Sequence, residues 1–346
     1  MKQQNTNKRW IRAGGLAFIM LISLGFLTYY TYDGVSDDGF QMAFNDNYGI
    51  YALNLPDQLS FAGEKVPLDD PEITERLDRE LLVNTYWQSQ TLLFLKRSHR
   101  DFQVIEPILE QYGIPKDFKY LAVIESGLMN VVSPAGATGY WQLLKGTAEE
   151  YGLEVNTEVD ERYHLEKSTE AACKYLLESY EKFNSWTLAA ASYNMGRDGL
   201  ERQLERQGGQ SYYDLILNSE TGRYLFRIMA VKKILENPET HGFHFREKDL
   251  YQLVPVRQMK VDTTIADLGD FAKNQGINYR ILKYHNPWLR MEYLPNKSGK
   301  EYLINIPEKG YFELSPEISA PGKLQKDTSA SETDSLKSEP KPTSEG

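Results

Sequence analysis

The sequence predicts a mostly α-helical domain followed by a small α+β domain, and three observations carry that prediction. Apolar residues between about 71 and 240 recur at helical spacing, and no segment there alternates convincingly as a strand. Strand-like alternation begins only after about residue 245. The chain has 346 residues, of which 41% are hydrophobic and 25% charged, enough apolar material for one sizeable core and a smaller second one.

The amino terminus reads as an address. Lys2, Lys8, Arg9 and Arg12 precede an uncharged run from Ala13 to Tyr32, about the length a helix needs to cross ~30 Å of hydrocarbon. Basic residues before the run and Asp33, Asp37 and Asp38 after it place the amino terminus inside and the rest outside, with Tyr29, Tyr30 and Tyr32 at the outer interface. The run ends without the small residues of a signal-peptide cleavage site. Residues 1–32 are therefore expected to form an uncleaved signal anchor, with cleavage and secretion as the alternative. Residues 33–70 mix Asp, Gly, Asn and Pro without a lasting period and are expected to be an extended spacer.

The helical domain is expected over residues 71–240. Leu77, Leu81 and Leu82 open an amphipathic stretch reaching about Leu95, and Ile105, Ile108, Leu109 and Tyr112 repeat at i, i+3, i+4, i+7 before the Gly113 and Pro115 stop. Further helices are expected from about Pro115 to Glu125, from Ser168 to Phe183, around Trp186 to Tyr193, and from Tyr224 to Leu235, the last ending at Asn237-Pro238. A second domain is expected over 245–312 as strand, two short helices, strand, with Tyr251–Val261 and Tyr302–Pro307 as its strands. The tail, 313–346, is Ser, Glu, Lys, Pro and Thr without aromatic residues and is expected to be disordered.

Composition excludes some functions. A net charge of −10 argues against a nucleic-acid partner, whose phosphates attract a basic face. The single cysteine, Cys173, shares helical spacing with Leu176, Leu177 and Tyr180 and reads as a buried core residue. His241 and His244 have no neighbouring acidic or sulfur ligand and read as loop residues, so no metal site is expected.

Glu125 is the residue with the most chemical promise. Phe118, Leu121 and Ala122 precede it by seven, four and three residues, so it shares an apolar helical face. Desolvation there, and the negative end of the helix dipole, both favour the protonated form that a general acid for a glycosidic oxygen requires. A glutamate turned to solvent at a helix end remains the simpler alternative on spacing alone.

Its surroundings decide in favour of chemistry. Glu125-Ser126-Gly127 is followed by Ser133-Pro134-Ala135-Gly136-Ala137-Thr138-Gly139-Tyr140-Trp141-Gln142, then by Ala189-Ala190-Ala191-Ser192-Tyr193-Asn194-Met195-Gly196, then by Glu220-Thr221-Gly222-Arg223-Tyr224. Val159-Asp160-Glu161-Arg162 and Lys167-Ser168-Thr169 lie between. This ordered set resembles the lytic murein transglycosylases of glycoside hydrolase family 23, which have a goose-type lysozyme-like fold.

The resemblance implies roles by position. Glu125 takes the place of a single catalytic acid/base, and Ser133 lies in the loop facing the scissile sugar. Gln142 is expected to bind a sugar N-acetyl or hydroxyl group, although it also suits a turn cap. Tyr193 is expected to orient Glu125 or the substrate, Asn194 to bind the glycan, and Glu220 and Tyr224 to line the cleft. Glu220 also suits a helix start. The implied reaction forms 1,6-anhydro-N-acetylmuramic acid ends and needs no metal or organic cofactor.

Some positions depart from the pattern. The link from Glu125 to Ser133 is one residue short, Leu144-Lys145 replaces a common Met-Pro, Gly222-Arg223 is reversed, and His164 stands where aspartate is frequent. The second domain resembles a degenerate LysM module through Asp262-Thr263-Thr264-Ile265, Asn286-Pro287 and Ile306-Pro307, with Val261 in place of a usual glycine.

The resemblance implies a membrane-anchored enzyme acting on peptidoglycan glycan strands outside the cytoplasm. A goose-lysozyme-type muramidase and a non-catalytic peptidoglycan-binding scaffold are the competing readings.

Overall fold

The structure, a computed structural model, describes residues 49–312 throughout, with residues 38, 39, 42 and 314 besides. The expected anchor and almost all of the expected tail lie outside the described residues. The chain divides into two compact units, with boundaries at 154/155, 160/161 and 252/253.

The first unit opens with a two-stranded antiparallel hairpin, β1 (Ser60–Phe61) and β2 (Glu64–Lys65). Helix α1 (Pro71–Tyr86) follows, with Pro at its first position and Asp70 as N-cap accepting from the Glu72 amide at 2.9 Å. Then come α2 (Gln88–Gln111), a single 3-10 turn (Lys116–Phe118), α3 (Lys119–Ser126), α4 (Lys145–Glu150), α5 (Leu165–Phe183), α6 (Trp186–Met195), α7 (Arg197–Gln207) and α8 (Ser219–Glu236).

Three differences from the sequence reading have physical causes. The break between the first two helices falls at Trp87, whose backbone (φ −85°, ψ 53°) leaves the helical region, and α2 then runs unbroken across residues 95–105. Pro107 sits inside α2 and ends nothing, at the cost of one intrahelical hydrogen bond. Helix α7 was not anticipated because its only buried residue is Leu200, so it has no apolar stripe to read. The last residues of the expected spacer belong to the body. Phe61 is fully buried and meets the Phe118 ring edge-on at 5.1 Å, and Val66 is buried too. A hairpin with two residues per strand is too short to display a period.

Helix α8 is central. Tyr224, Leu225, Phe226, Ile228, Met229, Ala230 and Val231 are all buried, so it is covered nearly all round, by α1, α3 and α6 among others. Helix α6 is equally enclosed, and its run Ala189-Ala190-Ala191 lets neighbouring backbones approach. Its first turn is held by a residue from the hairpin: Glu64 Oε2 accepts from the Thr187 amide at 2.9 Å and from the Ser185 hydroxyl at 2.9 Å. Cys173 is fully buried, and desolvation pushes its thiol up to about 12, which keeps it protonated and inert.

The second unit contains β3 (Val256–Val261), α9 (Leu268–Asn274), α10 (Tyr279–His285) and β4 (Tyr302–Pro307). The strands pair antiparallel from Val256↔Pro307 to Val261↔Tyr302. The first strand begins five residues later than Tyr251, since Tyr251 instead donates its amide to the Lys96 carbonyl at 3.2 Å in the first unit. Asn286 is wholly buried and fixes β4: its Nδ2 donates to the Asn305 carbonyl and its Oδ1 accepts from the Asn305 amide, both at 2.7 Å. Residues 155–160 belong to this unit, with Val159 bridged to Leu289.

Candidate active site

Glu125 lies in the last turn of α3, a helix buried through Tyr120, Leu121, Ala122 and Val123. Gly127 ends that helix in the left-handed conformation (φ 64°), and its amide bonds the Val123 carbonyl at 2.8 Å. A Cβ at Gly127 would press on Phe94 at 3.0 Å and Gln90 at 3.1 Å, so the turn needs glycine twice over. Arg97 donates to the Gly127 carbonyl at 3.0 Å and ties this corner to α2.

The Glu125 carboxyl keeps partial contact with solvent but is crowded by protein. Desolvation raises its pKa to about 7, against the lowering effects of a Tyr224 hydrogen bond and the Arg227 charge, with Glu220 adding a further raising field. Tyr224 is buried and its hydroxyl donates to Glu125 Oε1. Burial first, then the Glu125 charge, hold the Tyr224 phenol well above its ordinary value, so it acts as a fixed donor. Arg227 follows Tyr224 by three residues on α8 and donates to the Ile124 carbonyl at 3.2 Å.

Tyr193 comes from α6. Its hydroxyl donates to the Trp141 carbonyl at 2.8 Å rather than to Glu125, while its ring meets Tyr175 edge-on at 5.2 Å. It lies close enough for the Glu125 charge to raise its pKa, after burial as the main cause. Asn194, one residue on, donates through Nδ2 to Glu220 Oε1 at 3.0 Å and accepts from the Thr221 hydroxyl at 2.7 Å. Glu220 is exposed in the first turn of α8, where Asn218 caps the helix.

The loop between α3 and α4 carries Ser133 and Gln142. Ser126 anchors it, its hydroxyl donating to the Tyr140 carbonyl at 2.8 Å. Ser133 closes a tight turn: its Oγ accepts from the Ala137 amide at 3.1 Å, and its own amide donates to the Ala137 carbonyl at 2.8 Å. Gln142 has a left-handed backbone (φ 47°), and its Nε2 donates to the carbonyls of Val131 (3.0 Å) and Gly139 (2.8 Å). Both side chains therefore shape the loop, and the Gln142 amide nitrogen is already engaged.

Arg162 is buried and donates to the carbonyls of Gly136 (3.0 Å) and Leu143 (3.2 Å), a bracing role its sequence motif alone does not reveal. Gly139 (φ 83°) passes so near that a Cβ would lie 2.0 Å from the Arg162 carbonyl oxygen.

The structure thus gathers Glu125, Tyr224, Tyr193, Asn194 and Glu220, and sets Ser133 and Gln142 on an adjoining, internally bonded loop. Arg227 was not singled out in the sequence, although its i+3 spacing from Tyr224 signals the shared face.

With this geometry in view, two domain families match. Residues 103–216 match the transglycosylase SLT domain. Residues 257–310 match the soluble lytic transglycosylase C-terminal LysM-like domain. Two relatives are the membrane-bound lytic murein transglycosylases D of Escherichia coli strain K12 and of Escherichia coli O6:H1 strain CFT073. Each is 24% identical over 273 residues, covering 76% of this chain. The chain spans 58% of the length of each of these relatives. The SLT match ends before α8, so Glu220, Tyr224 and Arg227 lie beyond it.

Proposed function

We propose that this protein is a peptidoglycan lytic transglycosylase that cleaves the β-1,4 bond between N-acetylmuramic acid and N-acetylglucosamine, with Glu125 as acid and then base. The observation that carries this reading is Glu125 itself, a carboxyl held near neutrality by burial while Tyr224 fixes its orientation. The SLT match over residues 103–216 and the likeness to two proteins named as lytic murein transglycosylases support it.

In the proposed reaction the Glu125 carboxyl gives its proton to the glycosidic oxygen as the C1–O bond breaks. The resulting carboxylate takes the proton of the muramyl C6 hydroxyl as O6 bonds to C1. Glu125 ends as it began, no water is consumed, and the products are a 1,6-anhydro end and a free 4-hydroxyl. Tyr224 stabilises the carboxylate midway, because its hydroxyl donates more strongly to an ionised oxygen. Ser133, Gln142, Asn194 and Glu220 shape and line the cleft. The work is envelope chemistry, and the apolar run of residues 13–32 is the proposed anchor. Among the described residues no helix is long and apolar enough to cross a membrane, and that run lies outside them.

A hydrolase reading is favoured by one observation: Glu220 is a second carboxylate close enough to raise the Glu125 pKa. Glycosidases that use water need such a partner. Mass spectrometry of peptidoglycan digested by the full-length protein in detergent, beside Glu125→Gln, separates the two. Anhydro-muropeptides from the native protein alone are expected; reducing-end muropeptides, lost in Glu220→Gln, would assign hydrolysis instead.

A further inference from the structure

The last turn of α3 carries Glu125, and a helix end leaves its final carbonyls without intrahelical donors. Arginines from two other helices supply donors on either side of the acid. Arg227 of α8 donates to the Ile124 carbonyl at 3.2 Å, and Arg97 of α2 donates to the Gly127 carbonyl at 3.0 Å. A cation here also answers the negative end of the helix dipole.

The two clamps differ in what else they reach. Glu220, Tyr224 and Arg227 are spaced i, i+4, i+7 and share one stripe of α8. Each bears on Glu125 in its own way: Tyr224 donates to the carboxyl, Glu220 sets a negative charge towards it, and Arg227 a positive one. Glu220 is held in turn by Asn194 at 3.0 Å. From α6, Tyr193 faces the carboxyl as a neutral phenol, and Arg97 is the charge that α2 brings to this turn. Arg227 forms no ion pair with Glu125 among the described residues. A direct pair would hold Glu125 ionised, and an ionised carboxylate has no proton to give. With the guanidinium tied to the carbonyl one residue earlier, its charge stays near and the pair stays unmade.

We propose that Arg227 is a positioning residue for the acid: tied to the Ile124 carbonyl, it fixes the turn that carries Glu125 and holds a positive charge where it stabilises the carboxylate formed midway through the reaction. The inference rests on the transglycosylase reading for what that reaction is. Tyr224 orients one oxygen and Arg227 sets the field, so two residues three apart on α8 divide the work. Arg97 secures the backbone alone.

The test follows Glu125 itself and strand cleavage in parallel, on the full-length protein in detergent. Carbon-13 NMR of side-chain-labelled glutamate, with Glu125→Gln assigning the signal, reads the ionisation midpoint without substrate. Arg227→Gln keeps a donor but no charge. Its midpoint and the high-pH limb of its pH–rate profile are expected to move up by about one pH unit, with kcat about tenfold lower and KM little changed. Arg227→Lys retains the charge and is expected to restore both. Arg97→Gln is expected to lower stability and leave the midpoint in place. Arg227 is half-buried, and Arg227→Met, without donor or charge, gives a second neutral reading where the glutamine variant fails to fold. A midpoint that stays in place in the neutral variants, a lysine variant that behaves like the glutamine one, or an equal movement in Arg97→Gln would each overturn the proposal. A midpoint that moves as expected, in a protein whose native form cleaves nothing, supports the role of Arg227 while sinking the transglycosylase reading. Anhydro-muropeptide formation with an unmoved midpoint does the reverse.

Discussion

The corner around Glu125 and the strand pair of the second unit treat buried polar groups in opposite ways. In the second unit, β3 and β4 pair in continuous register, and Asn286 uses its amide to complete the backbone bonding of β4. The non-glycine residues with positive φ among those described, including Leu128 and Gln142 in the segment between α3 and α4, all fall in the first unit. So do Glu125, Tyr193 and Tyr224, whose protons burial holds far above their usual ranges. Regular bonding satisfies polar groups and leaves them inert. Strained turns and desolvated carboxyls cost stability and persist where a reaction needs them.

Breaking the acid should give the largest effect. Glu125→Gln is expected to lower cleavage on the order of 10³-fold or more while the fold persists, checked by product analysis and circular dichroism. Next is the loop. Gly139→Ala sets a methyl against the Arg162 carbonyl in a backbone conformation that L residues avoid, and should cost on the order of 3 kcal/mol in denaturant unfolding. In the second unit, Asn286→Ala orphans the Asn305 amide and should cost about 1–3 kcal/mol. Hydrogen exchange along β4 measures it, and cleavage of soluble glycan strands should be far less affected than by Gly139→Ala.

Tyr224→Phe sharpens the comparison at one atom. Its hydroxyl lowers the Glu125 pKa, so removal should move the ionisation of the acid to higher pH and reduce turnover about tenfold, through lost stabilisation of the carboxylate. A pH–rate profile reads both. The smallest effect is on stability with pH. Glu125 is raised from an ordinary 4.5 to about 7 in the folded state, so the folded protein binds more protons in that window. Its contribution to stability is present below about pH 4.5 and is lost as pH rises through 7. Glu125→Gln lacks this loss, so it should melt a few degrees above the native protein at pH 8 and close to it at pH 5. Equal melting differences at both pH values would show that the carboxyl is not desolvated.

The sequence by itself determined the helical body, the order of its main helices, the strand–helix–helix–strand pattern of the second unit, and Glu125 as the residue to watch. The elements follow from local causes, since apolar spacing places a side chain on a face and Gly113 and Asn237-Pro238 stop helices, whereas Glu125 stands out only through the ordered motifs around it. Features without a period stayed hidden, such as α7 with its single buried residue and the short hairpin that buries Phe61. The tertiary structure alone decided which hydroxyl serves the acid. The resemblance implies that Tyr193 orients Glu125 or the substrate and that Tyr224 lines the cleft, yet α6 aims Tyr193 at the Trp141 carbonyl and α8 aims Tyr224 at Glu125. It also decided the proton on Glu125, since desolvation depends on residues about a hundred positions away that close over the carboxyl only when α8 packs against α3.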